Sequence, residues 1–289
     1  MVMAAKLLEG RPIADKIKEE LKKEIEASKG KFGATPTLAT IQVGENPSAA
    51  IYLKSQKKNA KDVGVDFQEH TLPAATTEKA LVEYIRKLNK DIAVTGILLQ
   101  LPLPGHINSK EIHIYIDPLK DVEGMHPENV GQVIFGKMRI GSCTALAVME
   151  LIKSTGVDLY GKEAVIVGHS EIVGKPVSLL LLDKFATTTV CHIATGQRGY
   201  LPTHVKRAEV LVVAVGRAGI IQGEWVKEGA IVVDVGINRV GDKIVGDVEF
   251  EKASERAAFI TPVPGGVGPL TVTMLMRNTV EAFKLQRQI

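Results

Sequence analysis

The sequence predicts an α/β fold made of two domains, the second built on a doubly wound parallel sheet. Segments with the period of amphipathic helices alternate along the chain with short apolar segments that are typical of strands. Strands that are connected by helices in this way can pair in parallel. In the second half, polar residues seldom alternate with apolar ones within these segments, as expected of strands that are covered on both faces of the sheet. Several of them end at a glycine, at the sheet edge where folds of this class bind ligands.

The first half of the chain begins with an amphipathic helix. Residues Pro12 to Ser28 carry apolar side chains at helical spacing, with lysines and glutamates between them, and the helix is expected to end near Gly30. The elements predicted next are the strand Thr37–Val43, the helix Ala49–Val63, the strand Val65–Leu72, the helix Thr76–Leu88 and the strand Gly96–Pro102. We expect residues 1–143 to form the first domain.

The second half repeats this rhythm after a helix at Thr144–Ser154, which is expected to connect the two domains. The predicted strands are Ala164–Val167, Thr187–His192, Val210–Val215 and Ala230–Val235. Residues 144–269 are therefore expected to form the second domain. A last helix, Val272–Lys284, is expected to pack back on the first domain with the rest of residues 270–289.

The stretch from Ala164 to Pro176 has the pattern of a nucleotide-binding turn. A buried strand leads to Gly168, and Pro176 lies near the start of the following helix, where a missing N–H is tolerated. The spacing, G-x-S-x-x-x-G, departs from G-x-G-x-x-G, so alone it fits an ordinary strand-to-helix turn equally well. Gly216 and Gly236, each just past another strand, are expected at the same crevice and favour a nucleotide site.

Composition excludes several other classes of protein. The 289 residues carry a net charge of +3 from interspersed charges, and aromatic residues make up 4%, which argues against a nucleic-acid surface. The apolar runs are too short to span a bilayer, and the two cysteines are too few for a disulfide framework. The scattered histidines predict no metal site. We therefore expect a soluble protein of the cytoplasm.

Five segments together resemble the bifunctional methylenetetrahydrofolate dehydrogenase/cyclohydrolase family of the FolD type. They are Gly96–Pro104, Lys120–Gly124, the Gly168 turn, Asp234–Asn238 and Thr261–Pro269. The resemblance covers essentially the whole chain and implies an N-terminal folate domain, a C-terminal Rossmann-like domain, a catalytic cleft between them, and a homodimer. The implied reaction oxidises 5,10-methylenetetrahydrofolate by hydride transfer to a nicotinamide cofactor, NAD or NADP.

The resemblance also implies which residues act. Members of the family carry a Tyr-x-x-x-Lys motif on a helix, and this chain has Tyr52 at the tyrosine position but Gln56 at the lysine position. Gln100 matches a glutamine that orients the lysine and the substrate, and Glu123 stands where the family has an aspartate that binds the pterin. The remaining substrate contacts implied are Leu101, Pro264 and Gly265.

An amide at position 56 changes the expected chemistry. Hydride transfer needs no proton transfer, whereas hydrolysis of the methenyl product needs a group that moves protons, and an amide does not exchange one near neutral pH. Lys54 and Lys57 are predicted to point away from Gln56 on the helix. We therefore predict a dehydrogenase with weak or absent cyclohydrolase activity, which a separate enzyme would then supply.

Other functions remain open from the sequence. A fully bifunctional enzyme that makes 10-formyltetrahydrofolate is one alternative. A binding subunit that has lost catalysis is another, because both the lysine and the aspartate positions are substituted. A shikimate-type dehydrogenase would share the architecture, but it gives no reason for Gln100 or for the loop Pro264–Pro269.

The implied cofactor residues lie mainly in the second domain: Thr144, Gly168, His169, Ser170, Ile172, Ile193, Gly216, Ile237 and Gly266. The choice between NAD and NADP depends on what can pair with the 2′-phosphate of NADP. Members of the family that use NADP often carry arginine or serine at the positions of His169 and Ile193. Isoleucine has no donor, so the sequence favours NAD, although Lys175 and Arg198 lie near enough in sequence to serve NADP.

Overall fold

The computed structural model describes residues 5–287, except the side chains at 47–49 and 110. Two compact units make up the chain. One comprises Lys16–Cys143 with the residues from Val272 onward, and the other comprises Thr144–Thr271 with the described residues up to Asp15. The outermost residues of the expected domains, 1–4 and 288–289, lie outside the described part.

The strands, in chain order, are β1 (Lys6–Leu7), β2 (Thr37–Val43), β3 (Asp66–Leu72), β4 (Gly96–Leu99), β5 (Glu163–Val167), β6 (Thr187–Cys191), β7 (Val210–Val213), β8 (Ile231–Asp234), β9 (Asn238–Val240), β10 (Lys243–Val245) and β11 (Phe259–Ile260). The helices are α1 (Gly10–Phe32), α2 (Pro47–Val63), α3 (Glu78–Lys90), α4 (Ser109–Ile112), α5 (Pro127–Ile134), α6 (Cys143–Ser154), α7 (Gly174–Leu182), α8 (Ile193–Gln197), α9 (Leu201–Val205), α10 (Phe250–Ser254) and α11 (Val267–Gln286). The α/β fold with parallel sheets predicted from the sequence is confirmed.

The unit that contains β2 has a three-stranded parallel sheet in the order β3-β2-β4. The central strand β2 and its neighbour β4 are almost wholly buried, whereas β3 forms a half-exposed edge. Helix α3 shows why its segment folds as it does. The Thr77 side chain caps its first turn, and its buried face consists of Leu81, Val82, Ile85 and Leu88. Each buried aliphatic side chain stabilises the fold by about 1.5–3 kcal/mol.

The other unit has a six-stranded parallel sheet in the order β1-β11-β8-β7-β5-β6. β5, β7 and β8 are buried along almost their whole length, as the unbroken apolar segments predict. The chain runs outward in opposite directions from β5, first to β6 and then back to β7. Ligands of doubly wound sheets bind at such a reversal, beyond the carboxyl ends of the strands.

Several features of the fold differ from the sequence prediction. β1, expected in the first domain, pairs with β11 of the six-stranded sheet. β9 and β10 form an antiparallel hairpin that no periodicity indicated. Helix α11 begins at Val267 rather than Val272, directly after the glycine-proline loop. No helix in the described part of the chain is long and apolar enough to cross a membrane.

Candidate functional site

Helix α2 carries two of the predicted catalytic residues, Tyr52 and Gln56. They are four residues apart and therefore share one face of the helix. Gln56 is 0% exposed, whereas Tyr52 is half-buried. Lys54 and Lys57 are exposed, and Lys57 forms an ion pair with Glu69 at 2.5 Å. The lysines next to Gln56 in sequence thus point to solvent, as the helical spacing predicts.

Gln100 follows β4 immediately and pairs with Gln56. Its Nε2 donates to Oε1 of Gln56 at 2.7 Å, although 44 residues separate the two in sequence. Both side chains are buried, and Nε2 of Gln56 has no hydrogen-bond partner of ordinary length, although the Tyr52 hydroxyl lies within its reach. The pair leaves one buried amide donor available to a ligand. Leu101, the next predicted substrate contact, is exposed.

Glu123 provides an acceptor in the same unit. Oε2 of Glu123 is buried and has no hydrogen-bond partner. Burial, and next the negative charge of Asp121, raise the pKa of Glu123 to about 8. Asp121 itself serves the local turn, because its Oδ2 accepts from the backbone N of His126 at 2.7 Å and from Asn129 at 2.9 Å. A carboxyl group without built-in donors is suited to accept them from a ligand, or to donate while protonated.

Cys143 and Tyr52 complete the surroundings of Glu123. Burial, followed by the nearby Cys143 and Glu123, raises the pKa of the Tyr52 hydroxyl, and the Gln56 amide beside it lowers that pKa in part. Burial, with Glu123 and Asp121 next, also raises the pKa of the Cys143 thiol. Both groups therefore stay protonated near neutral pH. Asn278 of α11 also contacts Cys143. The sequence did not predict this residue, because nothing in the neighbouring residues indicates that a polar side chain is buried there.

The predicted nucleotide turn lies in the other unit, after β5. Gly168 has a φ of +124°, and a side chain there would overlap the backbone of Ala214. A side chain at Gly174, the first residue of α7, would overlap the carbonyl of Gly168. The hydroxyl of Ser170 accepts from the backbone N of Val173 at 3.1 Å. Glycine is thus required where strand, turn and helix meet closely.

Exposed apolar side chains follow the carboxyl ends of four neighbouring strands. They are Ile172 after β5, Ile193 after β6, Val215 after β7 and Ile237 after β8. Ile193 is 77% exposed and Ile237 is 67% exposed. Apolar groups exposed together commonly line a ligand groove. Three of these four residues, Ile172, Ile193 and Ile237, are predicted cofactor contacts.

The polar groups near the end of β6 have partners within the protein. The rings of His169 and His192 lie 5.4 Å apart between centroids. The Arg198 guanidinium lies 5.4 Å from the centroid of the Tyr200 ring. On the helix side, Lys175 forms an ion pair with Glu171 at 2.9 Å. Lys175 and Arg198 are both exposed, and because exposed contacts of this kind are weak, they leave either cation able to bind a phosphate.

A buried aspartate organises the turn after β7, and sequence reasoning did not find it. Asp247 is 0% exposed. One of its oxygens, Oδ2, accepts from the backbone N of Val215 at 2.8 Å and of Gly216 at 2.9 Å, and Oδ1 accepts from the backbone N of Arg217 and from Asn238, both at 2.8 Å. The backbone N–H of Gly216 is therefore used within the protein, and the predicted contact of Gly216 with the cofactor stays a prediction.

The remaining predicted residues lie in the unit of the six-stranded sheet. Gly265 has a φ of +114° and its carbonyl accepts from the backbone N of Gly10 at 2.9 Å. A side chain at Gly266 would press on Thr261 at 2.7 Å. Pro264 precedes Gly265, and Thr144 is half-buried in α6. The described residues contain no group of three or more His, Cys, Asp or Glu that could hold a metal ion.

Comparison with known proteins gives matches over nearly the whole chain. Residues 8–123 match the tetrahydrofolate dehydrogenase/cyclohydrolase catalytic domain. Residues 142–287 match the NAD(P)-binding domain of the same family.

Individual proteins agree with these matches. The bifunctional protein FolD of Acetivibrio thermocellus is 51% identical over 99% of this chain and 100% of its own length. The crystal structure of the FolD dehydrogenase/cyclohydrolase from Campylobacter jejuni is 45% identical, with a TM-score of 0.93 over 98% of this chain and 100% of that one. The Trypanosoma brucei FolD structure, complexed with NADP cofactor and inhibitor, is 39% identical, with a TM-score of 0.94 over 99% and 100% of the two chains.

Proposed function

The chain belongs to the tetrahydrofolate dehydrogenase/cyclohydrolase family, and on that premise we propose that it is a dehydrogenase in which the cyclohydrolase activity is weak or absent. As a methylenetetrahydrofolate dehydrogenase it oxidises 5,10-methylenetetrahydrofolate to the methenyl form with a nicotinamide cofactor. We assign the folate site to the unit of Tyr52, Gln56 and Gln100, and the cofactor site to the unit of Gly168.

Hydride transfer requires no acid or base among the side chains of the protein. The bound cofactor accepts the hydride, and the methenyl product carries its positive charge over two nitrogens. No proton moves in this step, so the protein mainly has to hold and orient the substrate. The buried N–H of Gln56 and the open acceptor on Glu123 offer complementary polar groups to a pterin ring, with Tyr52 beside them. An amide is sufficient for this task.

Hydrolysis of the methenyl group requires more, and the Gln56–Gln100 pair is the observation that carries the proposal. Water must add to the methenyl carbon, and protons must leave and arrive at defined atoms. At the position implied for the proton-transferring lysine, the buried amide oxygen of Gln56 already accepts from Gln100. An amide neither exchanges a proton near neutral pH nor lowers the pKa of a neighbour by charge.

The second candidate function is a bifunctional enzyme that retains cyclohydrolase activity. The observation that favours it is the raised pKa of Glu123. Its pKa of about 8 lies close enough to neutral for it to act as acid or base. In that case Glu123→Gln would abolish hydrolysis while leaving substantial hydride transfer. Under the first proposal the variant has little hydrolysis to lose.

Assays of both activities on the purified protein test the proposal. We expect formation of reduced cofactor from 5,10-methylenetetrahydrofolate, and hydrolysis of 5,10-methenyltetrahydrofolate that is slower by on the order of 100-fold or more. Hydrolysis at a rate equal to the dehydrogenase would overturn the loss of cyclohydrolase activity. No reduction of either cofactor would instead favour the binding subunit that has lost catalysis.

We further propose that NAD is preferred over NADP. Ile193 is exposed at the end of β6 and offers no donor to a 2′-phosphate, while Lys175 forms an ion pair with Glu171 and Arg198 lies over the Tyr200 ring. Without a donor at this position, the 2′-phosphate of NADP gains no charge-assisted hydrogen bond that would favour it over NAD. We expect a catalytic efficiency, kcat/KM, at least about tenfold higher with NAD.

Ile193→Arg sharpens this test, with Ile193→Leu as the matched control. The arginine variant should raise kcat/KM for NADP about tenfold, because a guanidinium can bind phosphate in bidentate fashion. The leucine variant should leave both efficiencies unchanged. Equal use of both cofactors by the unmodified protein would contradict the preference. The homodimer implied by the resemblance is a separate proposal, which sedimentation of the purified protein tests.

A further inference from the structure

Asn278 is a buried polar residue of α11 that the proposed chemistry does not use directly. Its side chain is 2% exposed. Nδ2 donates to the backbone carbonyls of Val122 and Gly141, both at 2.8 Å, and also lies 3.5 Å from Sγ of Cys143. Both N–H groups of the carboxamide therefore donate to chain segments that are distant from Asn278 in sequence. Val122, for example, is 156 residues away.

The two carbonyls belong to segments that together seat Glu123. Val122 is the residue immediately before Glu123, and its carbonyl also accepts from the Cys143 thiol at 3.4 Å. Gly124, immediately after Glu123, has a φ of +71°, and a side chain there would overlap the backbone of Gly141. The segment around Glu123 thus lies directly against the segment around Gly141, and Asn278 is hydrogen-bonded to both.

We propose that Asn278 is a positioning residue for the folate substrate, which acts by holding the backbone on either side of Glu123. This inference rests on the proposed function, because it takes Glu123 as a substrate contact. Oε2 of Glu123 has no hydrogen-bond partner within the protein, so the direction of this side chain depends on its backbone. A shift of that backbone would move the acceptor relative to the Gln56 donor.

Gln286 on the same helix offers a matched control. Its Nε2 also donates to two backbone carbonyls, those of Thr95 at 2.7 Å and Leu119 at 2.8 Å. Neither of these residues adjoins Glu123 in sequence. A variant of Gln286 therefore removes the same kind and number of hydrogen bonds from α11 while leaving the contacts of Asn278 in place. Gln286 is half-buried whereas Asn278 is buried, so denaturant titration of both variants is needed to separate a loss of stability from a change in KM.

Steady-state kinetics of Asn278→Leu, Asn278→Ser and Gln286→Leu test the inference. For Asn278→Leu we expect the KM for 5,10-methylenetetrahydrofolate to rise about tenfold, since small displacements of positioning groups have large effects. The KM for the dinucleotide should stay within about twofold of the unmodified value. Asn278→Ser keeps one donor and should give an intermediate KM, and Gln286→Leu should leave both constants unchanged.

The outcomes separate this inference from the proposed function. If the unmodified protein does not turn over the folate, the proposed function fails. If the unmodified protein is active but Asn278→Leu keeps its KM for the folate, or Gln286→Leu raises that KM equally, only the positioning role fails. Should Asn278→Leu not fold, the serine variant decides, because an unchanged KM in that variant contradicts the role and a raised one supports it.

Discussion

Carboxyl groups with buried oxygen atoms occur in both units, but their hydrogen bonding differs. Asp247 accepts four hydrogen bonds from three consecutive backbone N–H groups and Asn238. Asp234, nearby, accepts from the backbone N of Gly236, Asp247 and Val248. Glu123 has an oxygen, Oε2, that is buried without any partner. The first two groups are satisfied by the fold itself, whereas the third is left open.

The difference supports the proposed role of Glu123 as a substrate contact, although Oδ1 of Asp121 is also buried without a partner. A buried polar atom without a partner destabilises the protein, so its retention suggests that something else supplies the missing donor. Backbone hydrogen bonds hold down the pKa of Asp234, but burial outweighs them and raises it to about 6. Glu123 has no such bonds, and its pKa is raised further, to about 8.

The largest effect is expected from Asp247→Asn. The amide cannot accept four hydrogen bonds, and its NH2 group would face backbone N–H groups, so we expect the free energy of unfolding to fall by about 2–4 kcal/mol. Denaturant titration measures this loss. Asp242→Asn, at an exposed position of the β9–β10 hairpin, should change it by less than about 0.5 kcal/mol. Equal stability of the two variants would refute the structural role.

The next effect is a gain of function from Gln56→Lys. An ammonium group there could transfer protons and would lower the pKa of Glu123 through its charge. We expect methenyltetrahydrofolate hydrolysis to rise on the order of 100-fold, with a smaller change in hydride transfer. Lys54→Gln, which alters an exposed position of the same helix, should change neither rate. An unchanged ratio of the two activities in Gln56→Lys would remove the basis for the proposed loss of cyclohydrolase activity.

The smallest effect concerns the pH dependence of stability in Glu123→Gln. Because the pKa of Glu123 rises from 4.5 to about 8 on folding, the folded state binds more protons than the unfolded chain between these values. The stability of the unmodified protein therefore falls as pH rises through that window. Glutamine does not ionise, so the stability of the variant relative to the unmodified protein should rise between pH 5 and pH 9.

Urea titrations of both proteins at pH 5, 7 and 9 measure this difference. Comparing the two proteins at each pH cancels the contribution of Asp234, whose raised pKa acts in the same direction below pH 6. A constant difference across the range would show that Glu123 ionises in the folded protein as it does in water. Asp247→Asn, by contrast, should remain less stable than the unmodified protein at every pH tested.

The sequence predicted helices and strands well where buried residues recur at regular intervals along the chain. β2, β5 and the helix that carries Tyr52 and Gln56 lie within a few residues of their expected bounds. The hairpin β9–β10 was missed because its strands are short and largely exposed, so they show no apolar pattern. The pairing of β1 with β11 was also missed, because two exposed residues carry no signal of a partner.

By itself the sequence determined the alternation of strands and helices, the glycine turn at the end of β5, and the shared helical face of Tyr52 and Gln56. These properties follow from local spacing, which is visible in a linear chain. Only the tertiary structure decided that Gln100 pairs with Gln56, that Asp247 fills the turn after β7, and that Asn278 reaches Val122. Hydrogen bonds between distant polar groups depend on where the folded backbone places each donor and acceptor, and no sequence period records that placement.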